Sequence, residues 1–402
     1  MAQKGKNYNT IINNGTPDYP LIVITLILLL FGLVMLLSAS TPSSLAETGD
    51  SYSIFKKQAV FAFGGVCVGL FISIFNYRII ESKFIQKILY GMCFVLTFSV
   101  LVFGTSSGGA TRWIKIPGIP SFQPSELIKL CIILFYAGYL PTLKDKVKNA
   151  NGFARKYWVG FIVPVILIGA LLGTIFIVQN HLSVCVLLFF IVGAQMVVSG
   201  MVSPRFLAAT IILLLIIALV IGGIYGIYSL FKSDEVVETE EEGFEFRSER
   251  IKVWLDPDSN LTGTGWQINQ SFYAIGSGGL FGVGLGNSNQ KNLYIPEPHN
   301  DFIFAVVAEE LGFVGCVFII LLFVMFIWRG LIIAMNATDM QGTLLAIGVT
   351  ALIGMEAIIN MAVVTGTIPV TGMALPFFSY GGTALVVNLI AVGILISVSR
   401  KK

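Results

Sequence analysis

The sequence predicts an all-α polytopic membrane protein, a single domain over 1–402 with about ten transmembrane helices and a large extracytoplasmic loop between the seventh and eighth. Three observations carry that prediction. Of 402 residues, 55% are hydrophobic and only 12% charged, about half the charged share of an ordinary soluble domain. The apolar residues number about 221, which fills about ten spans at roughly 20 residues each. Finally, lysine and arginine fall unevenly between the connectors. A water-soluble enzyme is excluded, and a net charge of +3 is too small to point to nucleic acid as a partner.

Apolar runs of membrane length lie near 19–40, 55–75, 84–103, 122–140, 156–177, 181–200 and 205–230, and again near 301–328, 343–364 and 376–399. The first follows a polar head and is longer than a signal-peptide core, so it reads as a retained span. The fifth and sixth are divided only by Val178, Gln179, Asn180 and His181, in a stretch too long for one helix. With the N-terminus inside, Lys4, Lys6, Arg78, Lys83, Lys87, Lys144, Lys146, Lys148, Arg155, Lys156, Arg205, Arg329, Arg400, Lys401 and Lys402 fall on the inner side, 15 of the 25 cations, which sets an N-in, C-in orientation.

The loop over 231–300 begins with an acidic stretch, Asp234 to Glu245, that reads as a solvated insertion. Its second part, from Arg250, mixes apolar residues with glycines from Gly263 to Gly286, which suits short re-entrant or surface-lying helices folded against the membrane face. Gly282-Val283-Gly284-Leu285-Gly286 has no βαβ unit around it, so a phosphate loop is rejected. The five cysteines, at 67, 93, 131, 185 and 316, and the two histidines, His181 and His299, show no metal-ligand spacing.

Ionisable side chains in hydrocarbon cost several kcal/mol, so each is a candidate for function. Here they are Glu126, Lys129, Glu309, Glu310 and Glu356, all in the outer halves of their spans. With Arg112, Trp113, Lys115, His299 and Asp301 they gather the polar chemistry at the outer leaflet. Glu126 and Lys129, three apart on one helical face, form either a structural clasp or part of a site. Glu126 also follows Pro124 in a first turn, where a helix N-terminus favours a carboxylate without any function. Asp301 reads as an N-cap of the eighth span or as a general base, fixed beside His299 by two prolines. Glu310, nine residues on, or about 900° at ~100° per residue, faces away from Asp301 and packs against neighbouring helices.

Several motifs resemble the SEDS family (shape, elongation, division and sporulation), whose FtsW, RodA and SpoVE branches polymerise lipid II into glycan strands. They are Arg112-Trp113-Ile114, Phe122-Gln123-Pro124-Ser125-Glu126 with Lys129, Pro296-Glu297-Pro298-His299-Asn300-Asp301, Glu309-Glu310-Leu311-Gly312, Pro369-Val370-Thr371-Gly372 and Pro376-Phe377-Phe378-Ser379-Tyr380-Gly381-Gly382. The stretch Gly284-Leu285-Gly286-Asn287-Ser288 is more similar to the division-type FtsW and SpoVE branch. Glu356 departs from the pattern, standing where the family more often has Gln.

The resemblance implies a peptidoglycan glycosyltransferase at the outer face of the bacterial cytoplasmic membrane, acting in septal wall synthesis. It implies Asp301 as catalytic base and Arg112 and Lys129 as charges for the pyrophosphate. Glu126 would hold Lys129, Trp113 would stack on sugar, and His299 and Ser379 would join them in substrate binding. A divalent cation, magnesium, could share the phosphate charge, although the sequence shows no dedicated metal site. The implied partners are lipid II, a cognate class B penicillin-binding protein and other divisome components. A lipid II flippase, a non-catalytic scaffold, and the elongation (RodA-type) and sporulation (SpoVE-type) roles stay open as alternatives. The flippase is disfavoured because the inner half of every span lacks charge.

Overall fold

In a computed structural model, residues 15–107, 110–114, 122–148, 158–201, 250–256, 264–292 and 294–400 are described. Apolar helices that are hydrophobic all round cannot be oriented by their large side chains. Small and polar residues mark the buried face instead. Helix α2 (Ser53–Ile74) shows the inversion: Gln58, Ala62, Gly65, Gly69 and Ser73 are buried, while Val60, Phe63 and Phe71 are exposed. Its partner is α10 (Gly382–Ser399). A Cβ on Gly69 would stand 2.6 Å from the Leu389 carbonyl oxygen, so the two backbones touch where a side chain would hold them apart.

The remaining helices follow the predicted order: α1 (Tyr19–Thr48), α3 (Lys83–Phe103), α4 (Pro124–Lys148), α5 (Val163–Gln179, entered through a π-helical turn at Trp158–Ile162), α6 (Leu182–Val198), α7 (Thr264–Gly278), α8 (Ile303–Met335) and α9 (Met340–Val364). Among the described residues, eight helical segments are long and apolar enough to cross a membrane, and α6 is a shorter ninth. These match the first six and last three predicted spans. The seventh, near 205–230, and the acidic stretch lie outside the described residues. The centre of the bundle is α4, where Ile128, Ile132, Tyr136 and Leu140 are fully buried, together with α9.

Several boundaries differ from expectation: α4 runs on to Lys148 and α8 to Met335, past the expected 140 and 328. Helix α1 continues to Thr48 and stops on Gly49 in the left-handed region, φ 72°. The last helix begins at Gly382 and not near 376. Leu375 precedes a proline, which disfavours helical backbone there, and Phe377 sits at φ 68°, so 376–381 forms a loop. At the eighth helix the N-cap is Phe302, with no side-chain capping bond, which overturns the reading of Asp301 as the cap.

An antiparallel hairpin, β1 (Gly104–Ser107) and β2 (Ala110–Ile114), joins α3 to α4 and was not foreseen; Ile114 is bridged further to Phe122. The loop region does hold a short helix, α7, packed on α8. Beyond α7 its glycines have a specific use. Helix α8 breaks at Gly312 (φ 66°, ψ −165°), and the chain at 279–284 fills the break. Val283 N donates to Glu309 O (2.9 Å), Gly284 N to Glu310 O (3.0 Å) and Phe313 N to Gly279 O (2.9 Å). Backbone groups released by the kink are thus paired again, as a buried segment requires.

Beneath this clasp Lys291 Nζ meets Glu310 at 2.7 Å, and Ser38 of α1 donates to the same carboxylate at 2.6 Å. Glu309 accepts from the Ser288 hydroxyl and from Asn289 N. Glu310 therefore packs away from Asp301 as expected, and both glutamates anchor the loop that leads to Asp301. The opposite end of the bundle is tied by Asp18–Arg329 and Arg78–Asp339, each 2.7 Å.

Candidate active site

A cavity of about 480 Å³ lies between α4, α6, α9 and α10 and the loops at 296–302 and 372–381. Asp301 stands in its wall. The backbone around it is fixed from three directions: Asn360 Nδ2 of α9 donates to Asp301 O (2.8 Å), Ser379 Oγ to Asn300 O (2.7 Å), and Tyr380 N to His299 O (2.8 Å). The carboxylate itself accepts no hydrogen bond from the described residues, and Gly372 leaves space beside it, with a built Cβ 3.6 Å from Oδ2. Loss of water around the group pushes its pKa up to about 6, against the opposing charge of Arg250. No described residue uses the lone pairs of this carboxylate, so they are open to a proton or a ligand in the cavity.

The hairpin delivers Arg112 and Trp113 to the same cavity. Arg112 donates to Gln179 O (3.3 Å) and Asn180 O (2.8 Å). Asn180 is left-handed at φ 50° and ends α5, so Arg112 caps the carbonyls left open where the fifth and sixth spans part. The weakest sequence boundary is therefore also a wall of the site. Arg250, at the start of a short helical turn over 250–255, lines the wall as well and donates to Val370 O at 3.0 Å.

Another part of the lining is ionic. Lys129 pairs with Glu126 at 2.8 Å on its own helix and directly with Glu356 of α9, and Asn388 of α10 reaches the other Glu356 oxygen at 3.4 Å. Lys129 and Glu356 are each 3% exposed and Glu126 8%, so the three charges meet water almost only through the cavity. Among the described residues no three His, Cys, Asp or Glu side chains converge as metal ligands. Glu126 and Glu356 are both spent on Lys129, which leaves Asp301 and Glu297 as the other carboxylates of the lining.

Of the residues singled out from sequence, Arg112, Trp113, Glu126, Lys129, Asp301 and Ser379 line one cavity. The Ser379 hydroxyl donates to Asn300 O and accepts from Leu375 N (2.8 Å), so it holds the two loops together. His299 is not in the lining. It is 5% exposed, packs edge-on against Tyr380 at 5.7 Å, and burial holds its imidazole below the ordinary pKa. Lys115 lies outside the described residues. Sequence reasoning passed over Arg250, His181 and Asn388 as site residues, all of which line the cavity. Arg250 carried one usable signal, a cation beside an apolar Ile-Lys-Val-Trp-Leu run.

Residues 19–402 match the family model of the FtsW/RodA/SpoVE "Cell cycle protein" group. The chain is 39% identical to stage V sporulation protein E of Bacillus subtilis, over 96% of this chain and 97% of that one. It is 35% identical to a probable peptidoglycan glycosyltransferase FtsW of Trichlorobacter lovleyi, covering 95% and 93% respectively. Among solved structures, a chain of a peptidoglycan synthase complex superposes with a TM-score of 0.73 at 24% identity, over 96% of this chain and 98% of that one. The rod shape determining protein RodA of Thermus thermophilus superposes at 0.64, also at 24% identity, over 96% and 97%. By sequence over nearly its whole length, and by fold, this multi-pass membrane chain belongs to the FtsW/RodA/SpoVE family of cell cycle proteins.

Proposed function

We propose that the protein is a peptidoglycan glycosyltransferase that polymerises lipid II at the outer face of the cytoplasmic membrane. The observation that carries the reading is the Asp301 carboxylate: rigidly mounted, free of hydrogen bonds from the described residues, and facing the cavity. In the reaction the 4-hydroxyl of one lipid-linked disaccharide attacks the anomeric carbon of a second chain. The C–O bond to undecaprenyl pyrophosphate breaks, and the hydroxyl proton passes to Asp301. A base near pKa 6 is about ten to one ionised at pH 7, yet a better proton acceptor than an ordinary aspartate. Arg112 and Arg250 supply positive charge on the walls for the pyrophosphate, and Trp113 offers a face for a sugar ring.

The charged end of the bundle opposite the cavity, with Arg78, Lys144, Arg329 and Arg400, faces the cytoplasm in this reading, which puts the cavity where lipid II is presented. A class B penicillin-binding protein is the expected partner, supported by the similar solved chain that comes from a peptidoglycan synthase complex. Septal division is the favoured setting, supported by FtsW relatives at 35% identity. One observation favours sporulation as a second setting: within Bacillus subtilis the chain is 39% identical to the sporulation protein and 33% identical to FtsW.

Purified protein in liposomes with labelled lipid II tests the activity. Polymer from the wild type and none from Asp301→Asn is the expected result. Translocation without polymer would favour a flippase, and neither activity a scaffold.

A further inference from the structure

Lys129 carries one positive charge and meets two carboxylates. Glu126, three residues earlier on the same helix, already neutralises it at 2.8 Å. Glu356 arrives from α9 as a second anion on the same ammonium, and all three line the cavity that holds Asp301. An ammonium has three N–H donors, and these two carboxylates occupy two of them. Beyond Glu356 stands Asn388 of α10. Its Nδ2 is 3.4 Å from the second Glu356 oxygen, a long contact, and its Oδ1 is buried without a hydrogen-bond partner among the described residues.

We propose that Glu356 is a resident anion on Lys129, occupying the place a donor phosphate takes, and that it thereby sets how tightly this chain holds its lipid pyrophosphate. The identity of that ligand rests on the polymerase reading; the exchange itself does not. A pyrophosphate oxygen entering at Lys129 displaces the Glu356 carboxylate, which shifts onto the Asn388 amide and shortens that contact. Glu356 and Asn388 then act with opposite sign: one competes with the ligand, the other stabilises the displaced competitor.

The test is the affinity of the purified full-length protein for undecaprenyl pyrophosphate in detergent micelles, read by direct binding without turnover. Glu356→Gln keeps the shape and the Asn388 contact but removes the competing charge, and should tighten binding roughly tenfold, the scale of one hydrogen bond to a charged group. Asn388→Ala should weaken binding by about threefold or more, because the displaced carboxylate then has no donor.

Unchanged or weaker binding by Glu356→Gln overturns the proposal. So does unchanged or tighter binding by Asn388→Ala, since a general effect of negative charge in the cavity would leave that variant unaffected. If Glu356→Gln fails to fold, the Asn388 variant decides alone. A wild type that binds the lipid but makes no polymer would sink the polymerase reading and leave the exchange standing.

Discussion

Replacing Asp301 by Asn should stabilise the protein while abolishing its reaction. The carboxyl is raised from its ordinary 3.8 to about 6, and at 1.36 kcal/mol per pH unit that difference is about 3 kcal/mol. The group keeps some contact with the cavity, and screening there reduces the figure to roughly 1–3 kcal/mol. An acid whose folded pKa lies above its unfolded one is neutral in both states below about pH 4, so folding bears no cost there. The cost grows between pH 4 and 6 as the unfolded chain ionises first, and is constant above. Asn loses no hydrogen bond, because the carboxylate accepts none from the described residues.

Thermal unfolding of the detergent-purified variant should therefore occur above the wild type at pH 7.5, and the two should converge below about pH 4. Polymerisation of labelled lipid II should be lost at every pH. An Asn variant that is less stable at pH 7.5 would mean the carboxylate is structural, and the argument for a poised base would fail with it.

The same ionisation sets the acid limb of activity. kcat/KM for polymerisation should fall below about pH 6 as Asp301 takes a proton, and Arg250→Gln should move the midpoint upward, because the arginine charge favours the carboxylate. A midpoint that moves down in that variant contradicts the assignment. Lys291→Met leaves Glu310 buried beside Ser38 without its cation and should cost about 3–5 kcal/mol, seen as an early loss of monodisperse protein on heating. Gly312→Ala forces a side chain into a backbone region that only glycine adopts freely, against Gly282 N and the Leu280 carbonyl. It should lower thermal stability by about 1–3 kcal/mol or more, with no shift in the pH profile of whatever activity survives.

What could be read before the structure divides along physical lines. Membrane spans were legible because hydrocarbon demands a continuous apolar run, and a single left-handed residue, Asn180, suffices to divide two of them. Positions that depend on a proline or a cap are less legible: Pro376 delays the last helix, and of the two readings of Asp301 the cap fails because Phe302 holds that place. The hairpin of β1 and β2 escaped because it is short, polar and lies between two long apolar signals. The glycines of 276–286 announced unusual backbone, but not that they would repair a break in a helix some thirty residues further on.

The ionic part of the site shows the same division within one side chain. Glu126 and Lys129 share a helix, and a spacing of three residues fixes their meeting without tertiary information. Glu356 lies 227 residues from Lys129, and only the packing of α9 on α4 brings them together. Sequence could nevertheless have raised the question, since a lone carboxylate in the ninth span must find a cation or remain protonated. Lys56, Lys57, Lys87, Lys156 and Arg205 fall within about the first turn of their predicted spans, and Lys129 is the cation that lies deeper in one. Charge balance inside the membrane therefore selects the partner once both residues are placed in outer halves of their helices. The same balance makes Lys129 a weaker phosphate ligand than its charge suggests, because both of its neighbours are anions. A pyrophosphate entering this cavity meets Arg112 and Arg250 on its walls with their donors on carbonyls, whereas at Lys129 it must first displace a carboxylate.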